Sequence, residues 1–215
     1  MCGIFGSTDL ERYKTLYELN KDRGSFAYGG LYVHGQQGDT IQKTEGNSVQ
    51  LSHAVGEKYY MGHTQGPTSA QREWTWDTSH PFRFEHWHIA HNGVLSNSKE
   101  LATEYEVDSL VDSAIIPKLL SIKELDSKDE VNAIEQACSE LKGTFTCWMY
   151  NEVSEEAYLV RCGSTLFANT EGEFSSTNPG DMNALKEGMV YRIDYENRYI
   201  HETQNFKTSS PFFIL

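Results

Sequence analysis

Cys2 is the residue of this chain best suited to covalent chemistry. Removal of Met1 leaves a thiol and a free α-amine on one residue. The amine has an ordinary pKa of about 7.7–8.0 and the thiol one of about 8.5, so the first accepts the proton of the second near neutrality. The small side chain at position 2 permits removal of Met1. On position alone, the ordinary reading of a chance apolar residue near a terminus prevails. Asn92-Gly93 is by itself a hairpin signal, although a turn at a strand end also aims a backbone N–H into a cleft. His86 and His88 share a parity, with His80 and His91 nearby. His91 is out of step with that pair, and no cysteine or carboxylate completes a ligand set, so no metal site is expected.

Composition narrows the setting. The 215 residues carry 18 basic and 31 acidic side chains, a formal charge of 18 − 31 = −13, with 38% hydrophobic and 12% aromatic residues. This predicts one folded domain spanning 2–215, since the aromatic content is too high for a disordered chain. An acidic chain without a Lys/Arg block lacks the footprint for nucleic acid or an anionic membrane. No apolar run approaches a membrane span and the N-terminal residues are polar, so a cytoplasmic protein is expected. The four cysteines show no CxxC spacing, and no Asn-x-Ser/Thr sequon occurs. No Walker-type loop is present, and no cofactor is expected.

The elements that must position these residues alternate between strand and helix patterns. Residues 9–20 predict a short helix capped by Thr8 or Asp9 and ended by Gly24. AYGGLYV and EKYYMG read as strands separated by turns. GPTSAQREWTWDTSHPF reads as a long irregular loop, in which Trp74 and Trp76 either form a lid or pin the loop to the body. HWHIAHNG is a strand entering a turn. VDSLVDSAIIPKLL predicts a helix capped by Asp108 and kinked at Pro117. DEVNAIEQACSELKG predicts a second helix with Val131, Ile134, Cys138 and Leu141 along one side and Gly143 as its stop. GTFTCWMY, EAYLVRC, TLFAN, MVYRID and NRYIH are strands, and SSPFFIL is expected to be a last strand on the chain's own core.

The order of the motifs reverses the odds on Cys2. CGIFG, RGSFAYGG at 23–30, GHTQGPT at 62–68, HPF at 80–82, HNGVLSN at 91–97 and VDSLVDSAII at 107–116 resemble, in sequence, those of the class II glutamine amidotransferases. That family belongs to the N-terminal-nucleophile hydrolases, and the resemblance runs on through LKGTFTCWMY, AYLVRCGSTLFAN and EGMVYRID. It implies an α+β fold, the four-layer αββα sandwich. It also implies glutamine as substrate, hydrolysed at its side-chain amide through a Cys2 thioester. The ammonia released is expected to go to a protein partner acting in trans.

The resemblance carries roles to particular positions. Asn92 and Gly93 become the oxyanion hole, and Asp108 the partner of the substrate α-ammonium as well as a helix cap. Arg23, next to Gly24, becomes a cation near the nucleophile. Thr64, Thr68 and His91 fall in the substrate-binding motifs. One departure stands out: where the family commonly has an arginine that clamps the α-carboxylate, this chain has Gln65. A neutral amide does not replace the guanidinium fork. Arg72, seven residues on, is the nearest substitute, and without it the substrate would be a different γ-glutamyl compound or a simple amide. VDSL also has Leu110 where an acidic residue is common. A catalytically silent binding protein that keeps the fold is the remaining alternative.

Overall fold

The computed structural model describes residues 1–34, 38–49, 51, 56–66, 73–109 and 111–208. In chain order its strands are β1 (Gly3–Ser7), β2 (Ala27–Val33), β3 (Thr40–Glu45), β4 (Tyr59–Gln65), β5 (Phe82–Phe84), β6 (Trp87–Leu95) and β7 (Gly143–Asn151). They continue as β8 (Glu156–Cys162), β9 (Phe167–Ala168), β10 (Phe174–Ser175), β11 (Asn183–Ala184), β12 (Met189–Asp194) and β13 (Tyr199–Asn205). The helices are α1 (Leu10–Asn20), α2 (Ser98–Glu104), α3 (Ile115–Ser127) and α4 (Glu130–Glu140). They build two antiparallel sheets with flanking helices, the α+β class expected from the sequence. One sheet has the order β11-β9-β10-β1-β4-β2-β3, the other β13-β12-β8-β7-β6-β5. Contacts divide the chain into two compact units, the first Met1–Pro81, Thr165–Leu185 and Ile193–Ile200, the second Phe82–Ser164, Lys186–Arg192 and His201–Leu215. Among the described residues no helix is long and apolar enough to cross a membrane.

The first unit sorts its side chains by the two-residue period of its strands. Phe5, Tyr28, Tyr32 and Tyr60 lie on one face and meet Tyr13, Leu16 and Tyr17 of α1. Asp9 caps that helix by accepting the Arg12 backbone N–H at 2.7 Å. Phenols so deeply buried need partners, and they find one another. The Tyr13 and Tyr28 hydroxyls are 2.6 Å apart, those of Tyr28 and Tyr32 are 2.8 Å apart, and Tyr32 donates to Gln42 Oε1 at 2.7 Å. Gly30 and Gly62, paired across β2 and β4, make room for this chain. A Cβ on Gly30 would stand 2.6 Å from the Tyr28 hydroxyl, and one on Gly62 only 2.4 Å from the Phe5 ring and 2.5 Å from the Tyr13 hydroxyl.

The second unit packs α3 and α4 on its sheet through Ile115, Ile116, Leu119, Leu120, Ile134 and Cys138, against Trp87, Ile89, Phe145 and Cys147. Asp129 caps α4 by accepting the Asn132 N–H at 2.8 Å. Two expectations fail between 97 and 120. A short helix not expected from the sequence, α2, opens this stretch. Asp108 is exposed and caps nothing, because the helical turn begins at Asp112 and α3 at Ile115. Pro117 therefore falls in the first turn of α3, where its missing N–H removes no intrahelical bond, and no kink is required. Leu110 and the SSPFFIL segment lie outside the described residues.

Replacing Gly62 with alanine forces a methyl group into the Phe5 ring and the Tyr13 hydroxyl. It is expected to cost about 1–3 kcal/mol, as overpacking does, measured as a lower urea midpoint at unchanged slope.

Candidate active site

In the first unit the nucleophile candidate is held by its neighbours. β1 is paired with β4 on one side and β10 on the other, starting with Gly3 opposite Thr64. Cys2 precedes it by one residue and is half-buried. Its Sγ accepts the Gly66 N–H at 3.4 Å, and its carbonyl accepts from Arg23 Nε at 2.8 Å. Arg23 also donates to Thr177 Oγ1 at 3.4 Å. Burial pulls the Arg23 guanidinium below its ordinary pKa, with Cys2 opposing that shift. The glycine after Arg23 has a steric reason, since a Cβ on Gly24 would lie 2.3 Å from the Gln65 carbonyl carbon. Met1 is 88% exposed.

Thr64 and Gln65 are spent on the protein itself. Thr64 Oγ1 donates to the Asn20 carbonyl at 2.9 Å. Gln65, 2% exposed, donates from Nε2 to the Thr78 carbonyl at 3.1 Å and accepts the His80 N–H on Oε1 at 3.2 Å. Thr68 and Arg72 lie outside the described residues. Trp76 opens a helical turn closed by reciprocal Thr75 and Thr78 caps, and it lies over the Lys43 ammonium at 4.8 Å. The remaining thiols, Cys138, Cys147 and Cys162, are buried, and burial pushes each of them up.

In the second unit, Asn92 and Gly93 lie in β6 opposite Thr146 and Phe145 of β7. Gly93 has φ +154°, and a Cβ there would stand 2.0 Å from the Thr144 carbonyl oxygen. Only glycine fits here, and the strand runs on to Leu95 instead of turning at Asn92-Gly93 as the sequence suggested. His91, which alternation puts on the other face from Asn92, is 2% exposed. Its Nδ1 is 2.9 Å from Ser113 Oγ and its Nε2 3.3 Å from the Thr144 carbonyl oxygen. Asp112 accepts the Leu95 N–H at 2.9 Å, and Thr144 Oγ1 accepts that of Val94 at 3.2 Å. His91, Asp112, Ser113 and Thr144 thus brace the backbone on both sides of Gly93. The last three were not singled out from the sequence. Asp108 is exposed and lines a shallow cavity of about 430 Å³ with Ala102, Thr103, Glu106 and Val107.

The other histidines disperse. His86 Nε2 meets Glu124 at 2.7 Å, His88 Nε2 meets Glu152 at 2.8 Å, and His80 stacks on His63 with ring centroids 3.9 Å apart. Among the described residues no group of three His, Cys, Asp or Glu side chains is arranged to hold a metal.

Burial lowers the His91 pKa below its ordinary 6.5, with Asp112 opposing. The unfolded chain therefore binds the proton more readily than the folded one. This contribution to stability is complete above about pH 6.5 and is lost as pH falls towards the folded value. Urea unfolding from pH 8 to pH 5 is expected to show this loss, and His91→Asn should remove that part of the slope.

No family model matches the chain. It is 24% identical over 243 residues to the amidophosphoribosyltransferase of Methanocaldococcus jannaschii, covering 91% of this chain and 50% of that protein. It is also 24% identical over 219 residues to the isomerizing glutamine–fructose-6-phosphate aminotransferase of Oceanobacillus iheyensis, covering 96% and 36%. The chain spans about half or less of the length of these curated relatives. Among solved structures, the glutamine phosphoribosylpyrophosphate amidotransferase from B. subtilis, complexed with ADP and GMP, matches with a TM-score of 0.77 at 19% identity, covering 96% of this chain and 49% of that one. A predicted glutamine amidotransferase from Pseudomonas aeruginosa matches at 0.53 and 13% identity, covering 89% and 92%. The chain is a homologue of the class II glutamine amidotransferases and has the N-terminal-nucleophile hydrolase fold, two antiparallel sheets with flanking helices.

Proposed function

We propose that this chain hydrolyses the side-chain amide of glutamine to glutamate and ammonia. With Met1 removed, the Cys2 α-amine takes the thiol proton and the sulfur attacks the amide carbon. The Asn92 side-chain amide and the Gly93 N–H donate to the oxyanion of the tetrahedral intermediate. Its collapse, with the proton returned from the α-ammonium to the leaving nitrogen, expels ammonia and leaves a γ-glutamyl thioester. Water then attacks the thioester, releasing glutamate and restoring the thiol. Asp108 pairs with the substrate α-ammonium, while Thr68 and Arg72 contact its other end. Arg23, Thr64, Gln65 and His91 serve from behind, their polar atoms already engaged with protein partners. The ammonia passes to an accepting partner in trans, and the protein works in the reducing cytoplasm, where a thiol stays free.

The observation that carries this reading is the setting of Cys2: half-buried, its sulfur on the Gly66 N–H and its carbonyl on Arg23. The names of the chain's relatives support it. The engagement of both ends of the Gln65 amide favours a second reading, in which the same machinery cleaves an amide without an α-carboxylate.

Incubation with a diazo-ketone analogue of glutamine, followed by intact-mass analysis, is expected to show a species lacking Met1 with one adduct, and no adduct on Cys2→Ser. Processed protein without an adduct would favour the second reading, and retained Met1 in protein from its native cell would contradict both. Asn92→Ala should lower kcat by about 10²–10³-fold, the effect of losing one oxyanion donor.

A further inference from the structure

The 73–81 segment lies as a strap across the face of the first sheet that is turned away from α1. The register shows this. His63, Gly29 and Lys43 occupy one row across β4, β2 and β3, and the strap touches all three. His80 stacks on His63 at 3.9 Å. A Cβ on Gly29 would stand 1.9 Å from the His80 carbonyl oxygen, so only glycine lets the strap lie this close. Lys43 Nζ donates to the Trp76 carbonyl at 2.8 Å. Desolvation there takes the Lys43 amine down to about 8, against the pull of Asp77.

Gln65 lies in the next row, opposite Ala27, and is two residues from His63, hence on the same face. Continuing the β1–β4 register back from Gly3 and Thr64 places Cys2 alongside it. Gln65 therefore stands between the strap, which its side chain holds, and Gly66, whose N–H meets the Cys2 sulfur at 3.4 Å.

A primary amide offers donors at one end and an acceptor at the other, and this one uses both on the strap, donating to the Thr78 carbonyl and accepting from the His80 N–H. Arginine has donors only and cannot accept the His80 N–H. A carboxylate cannot donate to Thr78. We propose that Gln65 is a positioning residue that sets the strap against the strand end presenting the Gly66 N–H to Cys2, and that it takes no part in holding a substrate carboxylate. The proposal rests on the reading of Cys2 as nucleophile, yet its geometry is measurable without turnover.

The test uses Gln65→Met, Gln65→Arg and Lys43→Met, each checked for folding by circular dichroism. Cys138, Cys147 and Cys162 are buried, so iodoacetamide alkylation of the native protein reports Cys2. Trp87 and Trp148 are fully buried, so acrylamide quenching reports Trp74 and Trp76. Both Gln65 variants are expected to change the Cys2 alkylation rate by about fivefold, the worth of about one hydrogen bond, and to raise quenching. Lys43→Met, which frees only the Trp76 end, should raise quenching and leave the Cys2 rate alone. A residue with a merely structural role would lower the melting temperature without moving the alkylation rate of the folded protein.

An unchanged Cys2 rate in Gln65→Met would overturn the proposal, as would a lower KM for glutamine in Gln65→Arg or an equal Cys2 effect from Lys43→Met. Absence of glutamine turnover or of the diazo-ketone adduct in the parent protein would instead remove the glutaminase reading, leaving the alkylation and quenching results to decide the role of Gln65. If Gln65→Arg does not fold, Gln65→Met and Lys43→Met decide it.

Discussion

Main-chain pairing of β1 on both of its edges is the constraint from which the candidate site follows. Residues next to a chain end are ordinarily loose, but here the ladder begins at Gly3, and Ile4 adds a donor bond to Ser176 Oγ at 3.0 Å while its carbonyl accepts the Ser176 N–H at 2.8 Å. A strand so fixed leaves its neighbour little freedom, so the Cys2 sulfur is placed by backbone geometry rather than by its own rotamer alone. The same pairing separates the two faces. Gly3 and Phe5 turn towards α1, where Asn20 and Thr64 fill the space a Gly3 side chain would need. Ile4 and, by alternation, Cys2 turn towards the strap.

The second unit, taken by itself, uses the same device. Where two backbones pass so close that a Cβ would collide with the other, a glycine removes the obstacle, and buried polar side chains then hold the passage. Gly93 against the Thr144 carbonyl, braced by His91 and Asp112, corresponds to Gly24 against the Gln65 carbonyl carbon, braced by Arg23. The glycines permit the approach and the polar partners give it direction.

Strands and the motifs at their ends were legible in the sequence because strand burial has a two-residue period and because Cys2, Arg23, Asn92 and Gly93 sit in short, ordered motifs. The stretch from 97 to 120 was not. Asp108 has the look of a helix cap, whereas Asp112 is the carboxylate engaged, with the Leu95 N–H. Pro117 was the available signal, since a proline so placed fits best in a first turn. Helix α2 buries only Leu101 and leaves no periodic trace. The role of Gln65 was beyond reach for another reason: its partners are the backbone atoms of Thr78 and His80, and a backbone atom has no residue type to read.

The tyrosine hydroxyls of the first unit have a fixed polarity. Because Tyr32 gives its proton to Gln42 Oε1, it meets Tyr28 as an acceptor, and Tyr28 in turn meets Tyr13 as an acceptor. The three bonds point one way, so their dipoles add and each bond strengthens the next. A phenylalanine at the Tyr13 end would break one link and leave the order of the others intact. At Tyr28 it would break two, leaving the Tyr13 and Tyr32 hydroxyls, apart from Gln42, only each other. The position of a tyrosine in this queue, rather than its burial, sets the cost of removing its oxygen.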